Sequence, residues 1–334
     1  MPNPHLSCTV VICTRDRPME LQRCLPAVLA QDYGSFDVVV VDNSPTRPVS
    51  EACRLPGVIY LVEPVVGLSC ARNRGARAAR GDVVVFTDDD AVPDPGWLTA
   101  LMREFEDPSV HAVAGRIRYM AIDAERNLTA DERDAEEPPR PWRSWSRFDA
   151  GSERWFEDAC FGGIGDGANM AFRRKVFDRW PGFDERIGRG QQLTGGEDHF
   201  AFLSIVSLGR RVVYTPAAVI LHPHPTTPER ERTRKLELIR DALAMIVLLW
   251  VEHPAHRRDL LRFLAGAALR RLTGRTRRHH GEARVSAWES CLAVITGPSR
   301  YFSVRKKAFS GRAPVLRPSS GTIGSKDSLR SEWT

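Results

Sequence analysis

Three aspartates, Asp88, Asp89 and Asp90, follow the apolar run VVVF of residues 83–86 after a single threonine. Adjacent carboxylates repel and shift one another's pKa unless something positive sits among them. A divalent cation is the simplest remedy. Hard ions such as Mg2+ or Mn2+ take oxygen ligands and commonly use one or two carboxylates, with water and substrate phosphates completing the shell. Asp88 and Asp90 can face one such ion while Asp89 turns away or serves another ligand. Taken alone, the same triplet reads equally as an acidic turn capping a helix that begins near Pro95. A second acidic pair, Glu197 and Asp198 in TGGEDHF, opens an apolar stretch. A hydroxyl is a poor nucleophile until a carboxylate takes its proton, and a leaving diphosphate needs a cation for the charge that develops. Two separated acidic clusters suit those two jobs, although Glu197 and Asp198 also fit as first-turn acids stabilised by a helix dipole.

Basic and amide groups stand near both clusters. Arg15 and Arg17, then Arg72, Asn73 and Arg74, lie beside expected strand ends or a helix start, where phosphate-bearing ligands are favoured. Arg74, Arg77 and Arg80 fit better as one solvated helix face. Asp42 or Asn43 can read the edge of a base through a carbonyl-type acceptor. Neither GxGxxG nor GxxxxGK[ST] occurs, so there is no dinucleotide fingerprint and no P-loop. Trp142, Trp145 and Trp155 offer flat faces for a sugar or aglycone, or anchors for a loop.

The elements that must position these groups alternate. Residues 7–13, 36–42, 57–62 and 82–87 read as buried strands, and 18–31 and 68–81 as helices, the first tolerating Pro26. Strand and helix in alternation imply a mostly parallel α/β sheet, whose ligands bind beyond the carboxyl ends of the strands. That rule gathers TRDR at 14–17, DNS at 42–44 and DDD on one rim. Residues 121–160 mix acids, prolines and aromatics without a period and read as a long loop over the site. Beyond them come a glycine-rich turn, a short strand and a short helix in 161–185, an apolar helix after Glu197 ending at Gly209, and two extended segments, RVVYTP and AAVILHPHP. Residues 226–300 read as a basic helical extension with two helices, and 301–334 as a disordered tail.

Charge separates the same way. Of a net +6, residues 251–334 hold 17 Lys/Arg against 6 Asp/Glu, leaving −5 on the first 250 residues. A basic tail raises nucleic acid as a partner, but its arginines are poorly interleaved with aromatics and the other half is acidic, so nucleic acid is not expected. The seven cysteines are widely spaced with no CxxC pair, which favours free thiols in a reducing cytoplasm. MPNPHLSCTV lacks the pattern of a secretory signal. The longest uncharged apolar run, residues 242–251, is shorter than the roughly 20 residues a bilayer needs.

Taken in order, CTVVICTRDRP, VVVVDNSPT, GLSCARNRGARAARGDVVVFTDDD and GGEDHF resemble the inverting family 2 glycosyltransferases over about residues 6–225. The resemblance implies a GT-A fold: one Rossmann-like, mostly parallel central sheet flanked by helices, with a nucleotide-sugar half to about residue 120 and an acceptor half at 121–225. It implies transfer of a hexosyl group from a nucleotide sugar to a hydroxyl of a glycan, lipid-linked or small-molecule acceptor, with Mn2+ or Mg2+ as cofactor. Asp88 and Asp90 match the DxD metal motif, with His222 at the position of a third ligand and His224 competing for it. Thr14, Arg15, Asp16, Asp42 and Arg72 match positions lining nucleoside and phosphates, and Asn43 and Asp89 join them on the donor rim. Gly163, Asp166, Gly167 and Asn169 resemble the segment touching donor sugar and acceptor. Glu197 and Asp198 match the ED motif, whose aspartate acts as general base. A nucleotidyltransferase acting on a sugar phosphate is the enzymatic rival. The basic helices lie outside the resemblance and either pack on the catalytic part or lie on an anionic membrane, which places the chain in the cytoplasm or on the inner membrane face.

Overall fold

A computed structural model describes residues 6–51, 53–122, 128–130, 140–146, 154–223, 228–272 and 285–309, with backbone alone at 121–122, 128–130, 228, 271–272, 287 and 306–309. The expected alternation is present: β1 (Cys8–Thr14), α1 (Pro18–Leu29), β2 (Phe36–Asn43), β3 (Val58–Glu63), α2 (Leu68–Ala78) and β4 (Val83–Asp88). β5 (Val92–Pro93), α3 (Trp97–Glu104), β6 (Val110–Ile122), β7 (Leu128–Ala130), β8 (Arg143–Trp145), α4 (Trp155–Cys160), β9 (Asn169–Arg173), α5 (Glu197–Ser207) and β10 (Arg211–Pro223) follow. Three helices close the described chain, α6 (Pro228–Glu252), α7 (Arg257–Leu272) and α8 (Ala287–Phe309).

The main path of the sheet runs β3-β2-β1-β4-β9-β6-β10-β5, with β7 beside β6 and β8 beside β10. β3, β2, β1 and β4 are mutually parallel, whereas β9 is antiparallel to both β4 and β6. The sheet is therefore mixed: β3, β2, β1 and β4 run together, as do β6 and β10, and β9 runs against both of its neighbours. The reversal has a use. Because β9 runs against β4, its first residue pairs Asn169 with Thr87, and the turn before it lands on the rim where β4 delivers the aspartates. β6 and β10 run parallel, so His222 near the end of β10 reaches the same rim.

Alternation along the strands divides the core. Val10, Ile12, Val38, Val40, Val83 and Val85 face α1 and α3 through Leu21, Leu25, Trp97 and Leu101. Val11, Val39, Val41, Val84 and Phe86 join the opposite layer, with Ala71, Phe202, Ile205, Ala244 and Leu248 from α2, α5 and α6.

Three expectations change. Residues 121–160 are not one long loop: β6 runs to Ile122, and β7, β8 and α4 all fall inside that stretch. Trp145 is buried, its indole N–H donating to Asp158 at 2.9 Å, so it anchors β8 and presents no face to a ligand. RVVYTP and the described part of AAVILHPHP, through Pro223, form one strand, β10, with a register shift between Thr215 and Val219. The reading of 301–334 as disordered fails for 301–309, which complete α8, a third helix the arginine-rich composition had masked. Residues 310–334 lie outside the described residues, as do His224 and the interruptions in 121–160.

Candidate active site

The rim begins with a buried brace. Asp89 turns inward and accepts from the Thr14 hydroxyl at 2.7 Å and from Arg17 at 2.8 Å, while the other Arg17 nitrogen donates to Asp90 at 2.6 Å. Burial pushes the Asp89 carboxyl up to about 7, with Arg17 pulling the other way. Thr14 and Asp89, expected against the donor, are thus committed to holding the triplet in shape. Arg17, read from the sequence as a phosphate contact, pairs with the aspartates instead.

Asp88 and Asp90 face His222. Its Nε2 lies 3.8 Å from Asp88 Oδ2 and 3.3 Å from Asp90 Oδ1, and one ligand atom from each of the three residues falls within 4.8 Å of the others. Its Nδ1 is 2.9 Å from the Pro223 carbonyl, which makes Nδ1 the N–H donor and leaves Nε2 toward the carboxylates. Asp90 Oδ1 is enclosed and has no hydrogen-bond partner among the described residues. Burial works against both charges. Even so, His222 and Arg72 outweigh it and hold Asp88 well below the usual carboxylate range, and the two aspartates push the imidazole up to about 9. Two hard oxygens and an imidazole nitrogen converging on one point fit a divalent cation, which competes with a proton for the same space.

Arg72 spans from this cluster to the second one. One guanidinium nitrogen donates to Glu197 at 2.8 Å; the other lies 3.5 Å from Asp88 and 3.2 Å from the Gly167 carbonyl. Burial opposes its charge, but Glu197 and Asp88 more than restore it. Burial and Asp198 push the Glu197 carboxyl up, against the pull of Arg72. Gly167 is glycine for a local reason: a Cβ there would stand 2.6 Å from the Arg72 nitrogen. Its N–H donates to Asp198 Oδ2 at 2.7 Å, and the His199 N–H binds Oδ1 at 2.8 Å, aiming the carboxylate from the first turn of α5. Gly196, left-handed at φ 94, starts that helix abruptly. Asp166 lies between the clusters, its carboxyl raised by burial and by the charges of Asp198 and Asp88.

On the far side, Asp42 Oδ2 accepts from the Val49 N–H at 3.0 Å and the Tyr60 hydroxyl at 2.8 Å, while its buried Oδ1 has no donor among the described residues. Arg15 is exposed, and Asp16, itself at φ 55, accepts from the N–H groups of Thr46 and Arg47 and ties the loop after β2 to the rim.

Some expected contacts belong to the fold. Asn43 donates to the carbonyls of Glu63 and Val65 and accepts from the Gly67 N–H, fixing the loop into α2. Asn169 is fully buried, accepts from the Trp97 indole and donates to the carbonyls of Arg116 and Ala218, sealing the place where β6 and β10 change register. Both side-chain amides are engaged by the fold itself. A side chain on Gly163 would strike Asp158, so this glycine serves a tight turn after α4. Asn73 likewise binds Phe183 and Glu185, and Arg74, Arg77 and Arg80 face solvent as expected.

Residues the sequence reading passed over support the acid loop. Asp241 on α6 accepts from the Thr194 hydroxyl at 2.7 Å and from Arg300 on α8 at 2.7 Å, so the extension grips the segment that leads into Glu197 and Asp198. An isolated Asp inside the helical pattern of 229–253 was the available signal.

Residues 9–180 match the family described as Glycosyl transferase family 2. The chain belongs to that family. Among curated relatives it is 29% identical over 238 residues to the pre-mycofactocin glycosyltransferase of Mycobacterium tuberculosis (strain CDC 1551 / Oshkosh), covering 66% of this chain and 44% of that protein. It is 26% identical over 233 residues to the glucosyl-dolichyl phosphate glucuronosyltransferase of Haloferax volcanii, covering 64% and 68%. The chain thus spans less than half the length of the mycobacterial relative. Its fold is that of the mannosyltransferase PcManGT from Pyrobaculum calidifontis, a structure in complex with GDP-Man and Mn2+, with a TM-score of 0.54 at 20% identity over 92% of this chain and 88% of that one. The GT-A architecture expected from the motifs of this glycosyl transferase family 2 member is the one present.

Proposed function

We propose that this protein transfers a hexosyl group from a nucleoside-diphosphate sugar to an acceptor hydroxyl by a single displacement that inverts the anomeric centre. One observation supports the reading: Arg72 and Gly167 join the Asp88, Asp90 and His222 cluster to the Asp198 carboxylate by a short chain of hydrogen bonds. Asp88, Asp90 and His222 would hold Mn2+ or Mg2+, and imidazole in the set favours Mn2+, the ion of the archaeal neighbour. When bound, that ion neutralises the charge developing on the leaving diphosphate.

The chain's own groups do the rest. The orphaned Asp42 Oδ1 accepts from an N–H on the base edge, and Arg15 is exposed at the rim toward the phosphates. Asp198 takes the proton of the acceptor hydroxyl as its oxygen bonds to the anomeric carbon; the bond from that carbon to the diphosphate breaks on the opposite side, and a nucleoside diphosphate leaves. Glu197 is ion-paired and holds Arg72, so the base is Asp198. Asp166, its carboxyl raised by burial and by the charges of Asp198 and Asp88, lies between the two clusters on the side of the donor sugar. Relatives named for pre-mycofactocin and for glucosyl-dolichyl phosphate support a small-molecule or lipid-linked acceptor.

Asp198→Asn is expected to lower transfer by about 10^2–10^4-fold while calorimetry shows donor binding intact; full turnover in this variant would remove Asp198 from the chemistry. Chelation with EDTA should abolish turnover of the unaltered chain. The released product separates this reading from a nucleotidyltransferase: a nucleoside diphosphate agrees with it, and pyrophosphate overturns it.

A further inference from the structure

The last helix turns one apolar face inward and a second one outward. Ala293, Gly297, Tyr301 and Val304 of α8 are buried, and a side chain at Gly297 would collide with Leu243 of α6, so this face is fully used. On the opposite side, Trp288, Leu292, Ile295 and Phe302 recur at helical spacing and are 73%, 40%, 72% and 50% exposed. α7 repeats the pattern, with Leu261, Leu264 and Leu269 exposed over its outer face and Leu260 buried beneath. Isolated surface leucines need no explanation; a stripe headed by a tryptophan on one helix does.

Two occupants suit such a stripe, a second copy or a lipid surface, and charge decides between them. Residues 251–334 carry 17 Lys/Arg against 6 Asp/Glu, so two copies brought together through this region repel, whereas an anionic bilayer attracts it. Apolar side chains with a Trp and a Phe on one face of a helix in a basic stretch of chain suit an interfacial helix, and among the described residues no helix is long and apolar enough to cross a membrane. We propose that the outer faces of α7 and α8 dock this protein on an anionic lipid bilayer, with Trp288, Leu292, Ile295 and Phe302 entering the headgroup boundary. Docking does not depend on glycosyl transfer, so the two readings fail separately.

Co-sedimentation tests this with phosphatidylcholine vesicles made with and without phosphatidylglycerol. The full chain is expected to pellet with the phosphatidylglycerol vesicles, to bind the neutral ones much more weakly and to be released by high salt. Trp288→Ser combined with Ile295→Ser should lower that binding at least about tenfold with an unchanged melting temperature, since both side chains point to solvent. Leu55→Ser, an exposed apolar site elsewhere, should bind normally, and so should Asp198→Asn. Cys291, exposed on α8, gives a second readout: a maleimide should label it quickly in solution and slowly on phosphatidylglycerol vesicles. Failure of the unaltered chain to pellet, undiminished binding by the double variant, or slow Cys291 labelling without lipid would each overturn the proposal. A solution dimer that the double variant dissolves, without vesicle binding, would assign the stripe to a second copy instead.

Discussion

At the scale of single residues, Arg72 bears most of the site's electrostatics. It is buried, it lies between two carboxylates of different clusters, and its guanidinium sits over the Phe183 ring. Removing one partner of a buried pair leaves the other charge uncompensated, whereas removing both is far milder. Arg72→Ala is therefore expected to destabilise the protein by about 3–5 kcal/mol in urea unfolding, and adding Glu197→Gln should restore part of that loss. Equal stability of the single and double variants would show that Glu197 needs no cation. The Asp and Glu positions of this site were legible in the sequence because their types and order are unusual. Their division of labour was not: whether Asp89 faces a ligand or Thr14 depends on which way one rotamer turns, and Asn43 and Asn169 look like ligand contacts until their carbonyl partners, distant in sequence, are in view.

At the scale of elements, the parallel strands were readable from their period and the rim from where they end, because both follow from local pattern. β9 was readable as a strand but not as an antiparallel one, since direction is set by partners far along the chain. Its placement makes a measurable claim. Asn169 supplies a partner to the Trp97 indole and to two carbonyls where β6 shifts against β10. Asn169→Leu leaves those buried groups unpaired, at about 1–3 kcal/mol for each one that finds no water. A melting-temperature drop of several degrees is expected, with the donor affinity of the surviving folded protein little changed. A stable variant that had lost donor binding would return Asn169 to the ligand.

At the scale of the whole molecule, the helical extension is fastened to the α/β body by ion pairs as well as by Leu248 and Leu249. Arg186 binds Glu252 of α6 through two nitrogens, at 2.9 and 2.8 Å, and Asp184 through the same guanidinium. Burial opposes the Glu252 charge, but Arg186 more than offsets it and holds the carboxyl below its ordinary 4.5. A carboxyl depressed in the folded state contributes stability that is whole above the unfolded value and is lost as pH falls through the folded one. Thermal stability should accordingly decline below about pH 4.5, and Glu252→Gln should be less stable at neutral pH with a shallower acid decline. Parallel acid profiles for the two proteins would remove this pair from the account. The attachment was invisible in sequence because Arg186 and Glu252 are ordinary charges in a region crowded with them.

Asp241 accepts from Thr194 on one side and from Arg300 on the other, and so joins the first turns before Asp198 to the helix whose outer surface carries Trp288. On the proposed docking, whatever holds α8 in place also braces, through Arg300, Asp241 and Thr194, the segment from which α5 springs.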